Sequence, residues 1–275
     1  MSESGLIHDD LENGPIFGTD EDPVRRWREI VTAYSGLELT YSKDRLPAIA
    51  AIVRREMRLR KADTYIAGTW ESSLLIDLLW YTNDTTVKRL PRLSNSVPTW
   101  SWPSLQAIIY WHSGKMVPSL TLVDISFTRL GPAHVGEVID ASITLEGPTC
   151  MTRLTHIGET ADELPRLGME IISPPCEGAG VFILDGIPMD FDWTTGDRPV
   201  SAGDTFLVIL IHVYSDDMAP CSRGLTLRQV SDDAFERMGF IKIHPVREGR
   251  GSRQDHREIL SDFVDALPIR QVKII

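Results

Sequence analysis

Apolar positions recur at helical spacing in the first third of this chain and at strand spacing in most of the rest. Val24, Trp27, Ile30, Val31 and Tyr34 return every three or four residues, which predicts an amphipathic helix. Asp22 stands before it as N-cap, Pro23 takes the first helical position, and Gly36 ends it. The next helix begins at Ser42 or Lys43, with Leu46, Ile49, Ala50, Val53 and Met57 as its apolar stripe. Arg54, Arg55, Arg58 and Arg60 fall on or near the other face and read as a solvated surface, not a phosphate site. A third helix, apolar on most sides and therefore buried, is expected from about Trp70 to Trp80.

After Pro103 the pattern changes. The runs 106–112, 120–129, 138–145, 181–185, 205–214, 224–230 and 240–246 are rich in Val, Ile, Thr and aromatic residues, and Gly, Pro and Asp punctuate them. Residues 138–145 alternate with period two, as a half-buried antiparallel strand does. Residues 206–211 are almost wholly apolar, so that strand should be central. A last amphipathic helix is expected from Gln254 to Leu267, stopped by Pro268. Helices first and strands afterwards predict an α+β protein. Its helical N-terminal part should pack on a mainly antiparallel β barrel or sandwich that carries a C-terminal helix. The expected division is a flexible tail over 1–22, a helical subdomain over 23–95, and a β-rich subdomain over 96–275. Leu6, Ile7, Ile16 and Phe17 would also let the tail fold over a site as a lid.

One stretch breaks both periodicities: Val97-Pro98-Thr99-Trp100-Ser101-Trp102-Pro103-Ser104. Burying a tryptophan ring removes about 150–250 Å² from water, worth roughly 4–6 kcal/mol at 25 cal/mol per Å². Two such rings between prolines read either as a rigid corner anchoring a core or as the aromatic wall of a ligand pocket.

Composition narrows the partners. The chain has 275 residues and a formal net charge of −11, so it lacks the basic footprint that nucleic acid or an anionic membrane surface requires. Cys150, Cys176 and Cys221 are odd in number and far apart, with neither metal nor disulfide spacing, which suits a reducing cytoplasm. The first ten residues lack the basic and apolar regions of a signal peptide, and no apolar run is long enough to span a bilayer.

The familiar catalytic signatures are missing from the sequence. There is no dinucleotide fingerprint, phosphate loop, nucleophile elbow or zinc-binding spacing, and the histidines are scattered singly. Two clusters remain. In Tyr110-Trp111-His112, strand alternation would put Tyr110 and His112 on one side and Trp111 on the other. The run from Asp190 to Asp197 reads as a long turn, or as a loop offering Trp193 and Asp192 to a ligand.

Several motifs, taken in order, resemble one known sequence region. They are Trp27, Ile30-Val31 and Tyr34-Ser35; Leu39-Thr40 and Asp44-Arg45-Leu46-Pro47-Ala48-Ile49; and Tyr65, Gly68 and Trp70. Leu78-Leu79-Trp80 and Pro98-Thr99-Trp100-Ser101-Trp102 follow, then Leu145-Glu146-Gly147, Gly224-Leu225-Thr226-Leu227 and Phe235-Glu236-Arg237-Met238-Gly239. The region is the segment following the HET (heterokaryon incompatibility) domain of large fungal proteins, and the resemblance runs from about residue 24 to 245. The chain departs from the family's usual Ala-Pro-Ser-Trp-Ser-Trp-Ala-Ser at Val97, Thr99 and Pro103. Only a short tail precedes residue 24, so the resemblance is to a free-standing form, and the cell-death activity of the HET domain does not transfer. Free-standing relatives occur in fungal natural-product pathways. The resemblance therefore implies a cofactor-free cyclase or pericyclase acting on an apolar terpenoid or polyketide. The alternative is a non-catalytic protein-interaction module.

On the cyclase expectation, Tyr110 or His112 donates a catalytic hydrogen bond, and Trp100, Trp102, Trp111, Asp192 and Trp193 contact an apolar small-molecule substrate. No metal, flavin or nicotinamide is expected.

Overall fold

The N-terminal helices form where the periodicity puts them. Helix α1 (Pro23–Ser35) is capped by the Asp22 side chain, which accepts a hydrogen bond from the Val24 amide, and Pro23 sits in its first turn. Helix α2 (Arg45–Leu59) buries Ile49, Ala50 and Val53. The structure is a computed structural model that describes residues 22–37, 45–82, 97–112, 116–132, 137–157, 167–174, 181–187, 199–212, 220–246 and 253–275.

Two expectations for this part are corrected. Arg54 and Arg58 are solvated, but Arg60 is buried. It lies near Glu56 and Asp63, and its guanidinium stands 4.6 Å from the Trp70 ring centroid. Glu56 in turn pairs with buried Arg26 at 2.9 Å. A guanidinium enters the core because these carboxylates and an indole face offset its desolvation. The expected third helix is broken. Strands β1 (Tyr65–Ile66) and β2 (Thr69–Trp70) form a tight hairpin, followed by a 3₁₀ turn and the four-residue α3 (Leu74–Asp77). The hairpin turns on Ala67 and Gly68, both at positive φ (46° and 103°), as a two-residue reverse turn between antiparallel strands requires.

Strands β3 (Tyr81–Thr82) and β4 (Ile109–Tyr110) then pair with Tyr81 opposite Tyr110. The remaining strands are β5 (Thr121–Leu130), β6 (Glu137–Ile157), β7 (Leu167–Ser173), β8 (Val181–Ile187), β9 (Thr205–His212), β10 (Ser222–Gln229) and β11 (Ala234–Val246). Helix α4 (Arg253–Asp265) and strand β12 (Ile269–Ile274) complete the chain. The main sheet runs β10-β9-β6-β12-β11-β8, with β5 and β7 also paired to β6 and β10 also paired to β11. The β10–β11 pairing turns the sheet back on itself, yet β5, β7 and β8 lie off that turn. The fold is α+β, as expected, but where an antiparallel barrel or sandwich was expected the strands form a large curled mixed sheet that is not a closed barrel. The sheet is mixed because β12 runs parallel to β11 and antiparallel to β6.

The expected central strand is central: β9 pairs with β6 on one edge and β10 on the other, and residues 206–212 are buried. Leu207, Ile209 and Ile211 join one core with Leu74, Leu78, Leu79 and Trp100. Val208 and Leu210 join another, covered by Leu260, Phe263 and Leu267 at the α4 end of the chain. A third core unites Trp27, Ile49, Val53, Trp70, Trp80 and Trp102 with Leu154, Phe206 and Met238 of the sheet. Helical part and sheet thus share their interior.

Candidate functional site

Strand β4 divides two aromatic regions. On one side Trp111 donates its indole N–H to the Asp77 carbonyl at 3.0 Å, and its ring faces the Arg28 guanidinium. On the other, Tyr110 and His112 both approach Tyr81, with ring centroids at 6.1 and 4.6 Å. The alternation read from the sequence holds.

The Trp111 side is sealed. The Gly68 carbonyl accepts from the indoles of Trp27 (3.2 Å) and Trp102 (2.6 Å), and the Ser101 hydroxyl donates to the Ala67 carbonyl. Trp80 donates to the Trp100 carbonyl at 2.9 Å. Gly68 is needed here twice over: its φ is positive, and a Cβ would lie 2.8 Å from the Trp102 indole nitrogen. Trp100 and Trp102 are 1% and 2% exposed. With partly exposed Trp111 they line a small pocket of about 10 Å³, room for about one water molecule. The Asp77 carboxylate beside it receives Arg28 at 2.7 Å, Thr69 at 3.2 Å and the Ser73 hydroxyl. Burial pushes the Asp77 carboxyl above its ordinary range, against the pull of Arg28, Ser73 and Thr69. Trp100 and Trp102 therefore act in this structure as the rigid corner.

The other side is half open. Tyr81, Tyr110 and His112 are partly exposed and rest on buried Phe240, whose ring lies 5.6 Å from Tyr81 and 5.3 Å from His112. Arg223 borders the cluster, with its guanidinium on the Met116 sulfur at 3.3 Å. The Lys242 ammonium stands 5.9 Å from the Phe240 ring centroid. Burial and the neighbouring Tyr110 raise the Tyr81 hydroxyl above its usual range, with Arg223 opposing. Tyr81 stays protonated at neutral pH and can donate a hydrogen bond.

Of the residues picked from the sequence, Tyr110 and His112 lie together on the open side, and Trp111 backs them from the sealed side. Asp192 and Trp193 lie outside the described residues. Sequence reasoning missed Tyr81, Phe240, Arg223 and Met116. The pairing that delivers Tyr81 joins strands of two residues each, too short to leave a periodic signal. Phe240 was legible only as a strand residue.

Among the described residues, no group of three or more His, Cys, Asp or Glu side chains is placed to hold a metal ion. None of their helices is long and apolar enough to cross a membrane. No family model, curated protein or solved structure matches this chain.

Proposed function

We propose that the chain is a cofactor-free cyclase of the Diels–Alder pericyclase type, related to the region that follows fungal HET domains. It would shape an apolar terpenoid or polyketide intermediate of secondary metabolism in the cytoplasm, with no nucleic-acid or membrane partner. The observation that carries this reading is the half-open cluster of Tyr81, Tyr110, His112 and Phe240. It combines partly exposed ring faces for an apolar skeleton with the tyrosine hydroxyls beside them.

That combination suits a cycloaddition. Two σ bonds form as π bonds are consumed, so no leaving group, hydride or proton needs a carrier. The catalyst has to hold a flexible substrate in its reactive fold, which supplies proximity and orientation. In this reading the partly exposed Tyr81 and Tyr110 rings hold the skeleton, backed by buried Phe240. Tyr110 or His112 donates a hydrogen bond to a conjugated carbonyl, lowering the barrier as electron density shifts toward oxygen.

The test is conversion of a linear or monocyclic precursor by the purified chain and by Tyr110→Phe and His112→Ala. Loss of the donor used in the transition state should lower kcat by roughly 10²–10³. Parental rate and product ratio in both variants would remove these residues from the chemistry. A parent that never outpaces the uncatalysed reaction would favour the second reading, an interaction module. That reading draws on Val123 and Leu130 of β5 and Ile139 of the adjacent β6, which are 47%, 61% and 54% exposed.

A further inference from the structure

Strand β5 (Thr121–Leu130) is an edge strand: among the described residues it pairs with β6 alone. Seven of its ten residues are exposed, and Leu122, Ile125 and Phe127 are only partly buried, so both of its faces reach solvent. Ile125 and Phe127 stand opposite buried Ile143 and Ala141 of β6 and pack on the same core. An open edge is a template for another strand, and proteins guard such edges with Lys, Pro or bulges. β5 contains neither Lys nor Pro. Its pairing with β6 shifts register twice, between Leu122 and Asp124 and between Thr128 and Arg129. Between the shifts lies a regular run of five residues, Asp124-Ile125-Ser126-Phe127-Thr128.

That run is complementary to itself. Residues directly opposite each other in an antiparallel pair share a face. Two identical strands related by a two-fold axis meet that condition only if the axis passes at a residue that faces its own copy. Ser126 is the middle of the run. With the axis there, Asp124 faces Thr128 of the second copy, Ile125 faces its Phe127, and Ser126 faces its Ser126. Each Ile–Phe pair covers the half-open core face, and each threonine hydroxyl can donate to a carboxylate. No like charges stand opposite each other. Moving the axis to Phe127 would instead set Ile125 against Arg129 and carry the pairing past the shift at Thr128. Val123 and Leu130, 47% and 61% exposed, flank the run, and antiparallel pairing brings the Val123 end of one copy to the Leu130 end of the other. The strand's one acid and one base, Asp124 and Arg129, cancel, so two copies of a chain of net charge −11 can approach along it.

We infer that two copies of this chain associate through β5, antiparallel and centred on Ser126, and continue one sheet across the dimer. Self-complementarity selects a second copy over an unrelated strand, because this register gives every residue from Asp124 to Thr128 a compatible partner. The association closes on itself: each copy uses its β5 edge once, so a dimer forms and not a filament. Stable interfaces bury about 1,200–2,000 Å² in total, more than a strand pair of this length supplies alone. The dimer is therefore reversible, with a Kd on the order of tens of micromolar. It is independent of the chemistry proposed above.

Sedimentation equilibrium of the purified full chain, from about 1 to 200 μM to bracket that Kd, should show the mass rising from one chain to two. Ser126 is exposed, so Ser126→Lys and Ser126→Asp should fold as the parent does, which a thermal melt checks. Each sets like charges opposite each other across the axis and should weaken the dimer at least about tenfold. Mixed in equal amounts, the two variants should dimerise at least as strongly as the parent, because Lys then faces Asp. Thr128→Arg, also at an exposed position and opposite Asp124 of the second copy, should strengthen the dimer severalfold, and it tests the register even if a Ser126 variant does not fold. A parent that stays monomeric across the range would overturn the inference. A dimer that neither Ser126 substitution weakens would overturn it too, because another surface would then hold the copies together. A mixture no stronger than its separate variants, or a Kd unchanged in Thr128→Arg, would show that Ser126 does not face its own copy and would overturn the proposed pairing.

Discussion

The two aromatic regions on either side of β4 use similar residues for opposite ends. In the sealed one, indole N–H groups of Trp27, Trp80, Trp102 and Trp111 all end on backbone carbonyls. Each ring contributes its apolar area, and each of these polar handles is satisfied internally, so the region is a fastening. In the open one, Tyr81, Tyr110 and His112 keep part of their surface accessible above Phe240. Aromatic content alone does not mark a site. What separates the two regions is how much ring surface stays accessible.

The largest expected effect tests the sealed side. Trp102→Ala should cost about 3–5 kcal/mol in chemical denaturation, through lost burial and the cavity left behind. Tyr110→Ala, on the open side, should cost about 1 kcal/mol, the centre of the mutational range. Equal losses would break the comparison.

Activity should show the reverse ranking. Tyr110→Phe should leave the melting temperature within a degree or two of the parent while kcat falls roughly 10²–10³. A parental rate would empty the open side of its catalytic role.

Gly224→Ala should cost about 1–3 kcal/mol, because the new methyl group must displace the Ile209 backbone. Its effect should centre on the β9–β10 register shift between Arg223 and Gly224, leaving the near-ultraviolet signal of the sealed tryptophans unchanged. A flattened tryptophan signal would show that the two regions are not independent.

The smallest effect is a pH dependence. Tyr65 packs edge-on against Trp27 and Trp70 at 5.8 and 5.3 Å, and burial pushes its hydroxyl far above the ordinary tyrosine range. A raised pKa in the folded state means that the native protein holds the proton longer than the unfolded chain. The associated stability is therefore complete below about pH 10 and is lost as pH rises toward the folded value. Tyr65→Phe should thus flatten the alkaline decline in melting temperature above pH 10 and change little at pH 7. Tyr81→Phe should flatten it less, since Tyr81 is partly solvated. An alkaline limb identical in parent and Tyr65→Phe would show that Tyr65 is not sealed.

The helix at Pro23–Ser35, the burial of residues 206–211 and the opposite facing of Tyr110 and Trp111 were legible because each rests on local rules. An N-cap, an unbroken apolar run and a two-residue alternation are properties of neighbours in sequence. The third helix was misread because residues 70–80 are apolar on most sides, and such a run does not distinguish a helix from a hairpin end, a 3₁₀ turn and a short helix packed together. Arg60 was misread because its carboxylate neighbours and Trp70 become its partners only on folding. Strand β12 was missed because Ile269–Ile274 buries only Val272 and Ile274.

The sequence by itself determined the α+β class, the α1 boundaries, the central strand and the two faces of β4. The tertiary structure decided that Trp100 and Trp102 close a corner and that Tyr81 and Phe240 meet Tyr110 and His112. The aromatic pairings join residues 29 to 159 positions apart, as in Tyr81 with Tyr110 and Phe240. Their geometry follows from register, bulge and sheet curl, which no local pattern encodes.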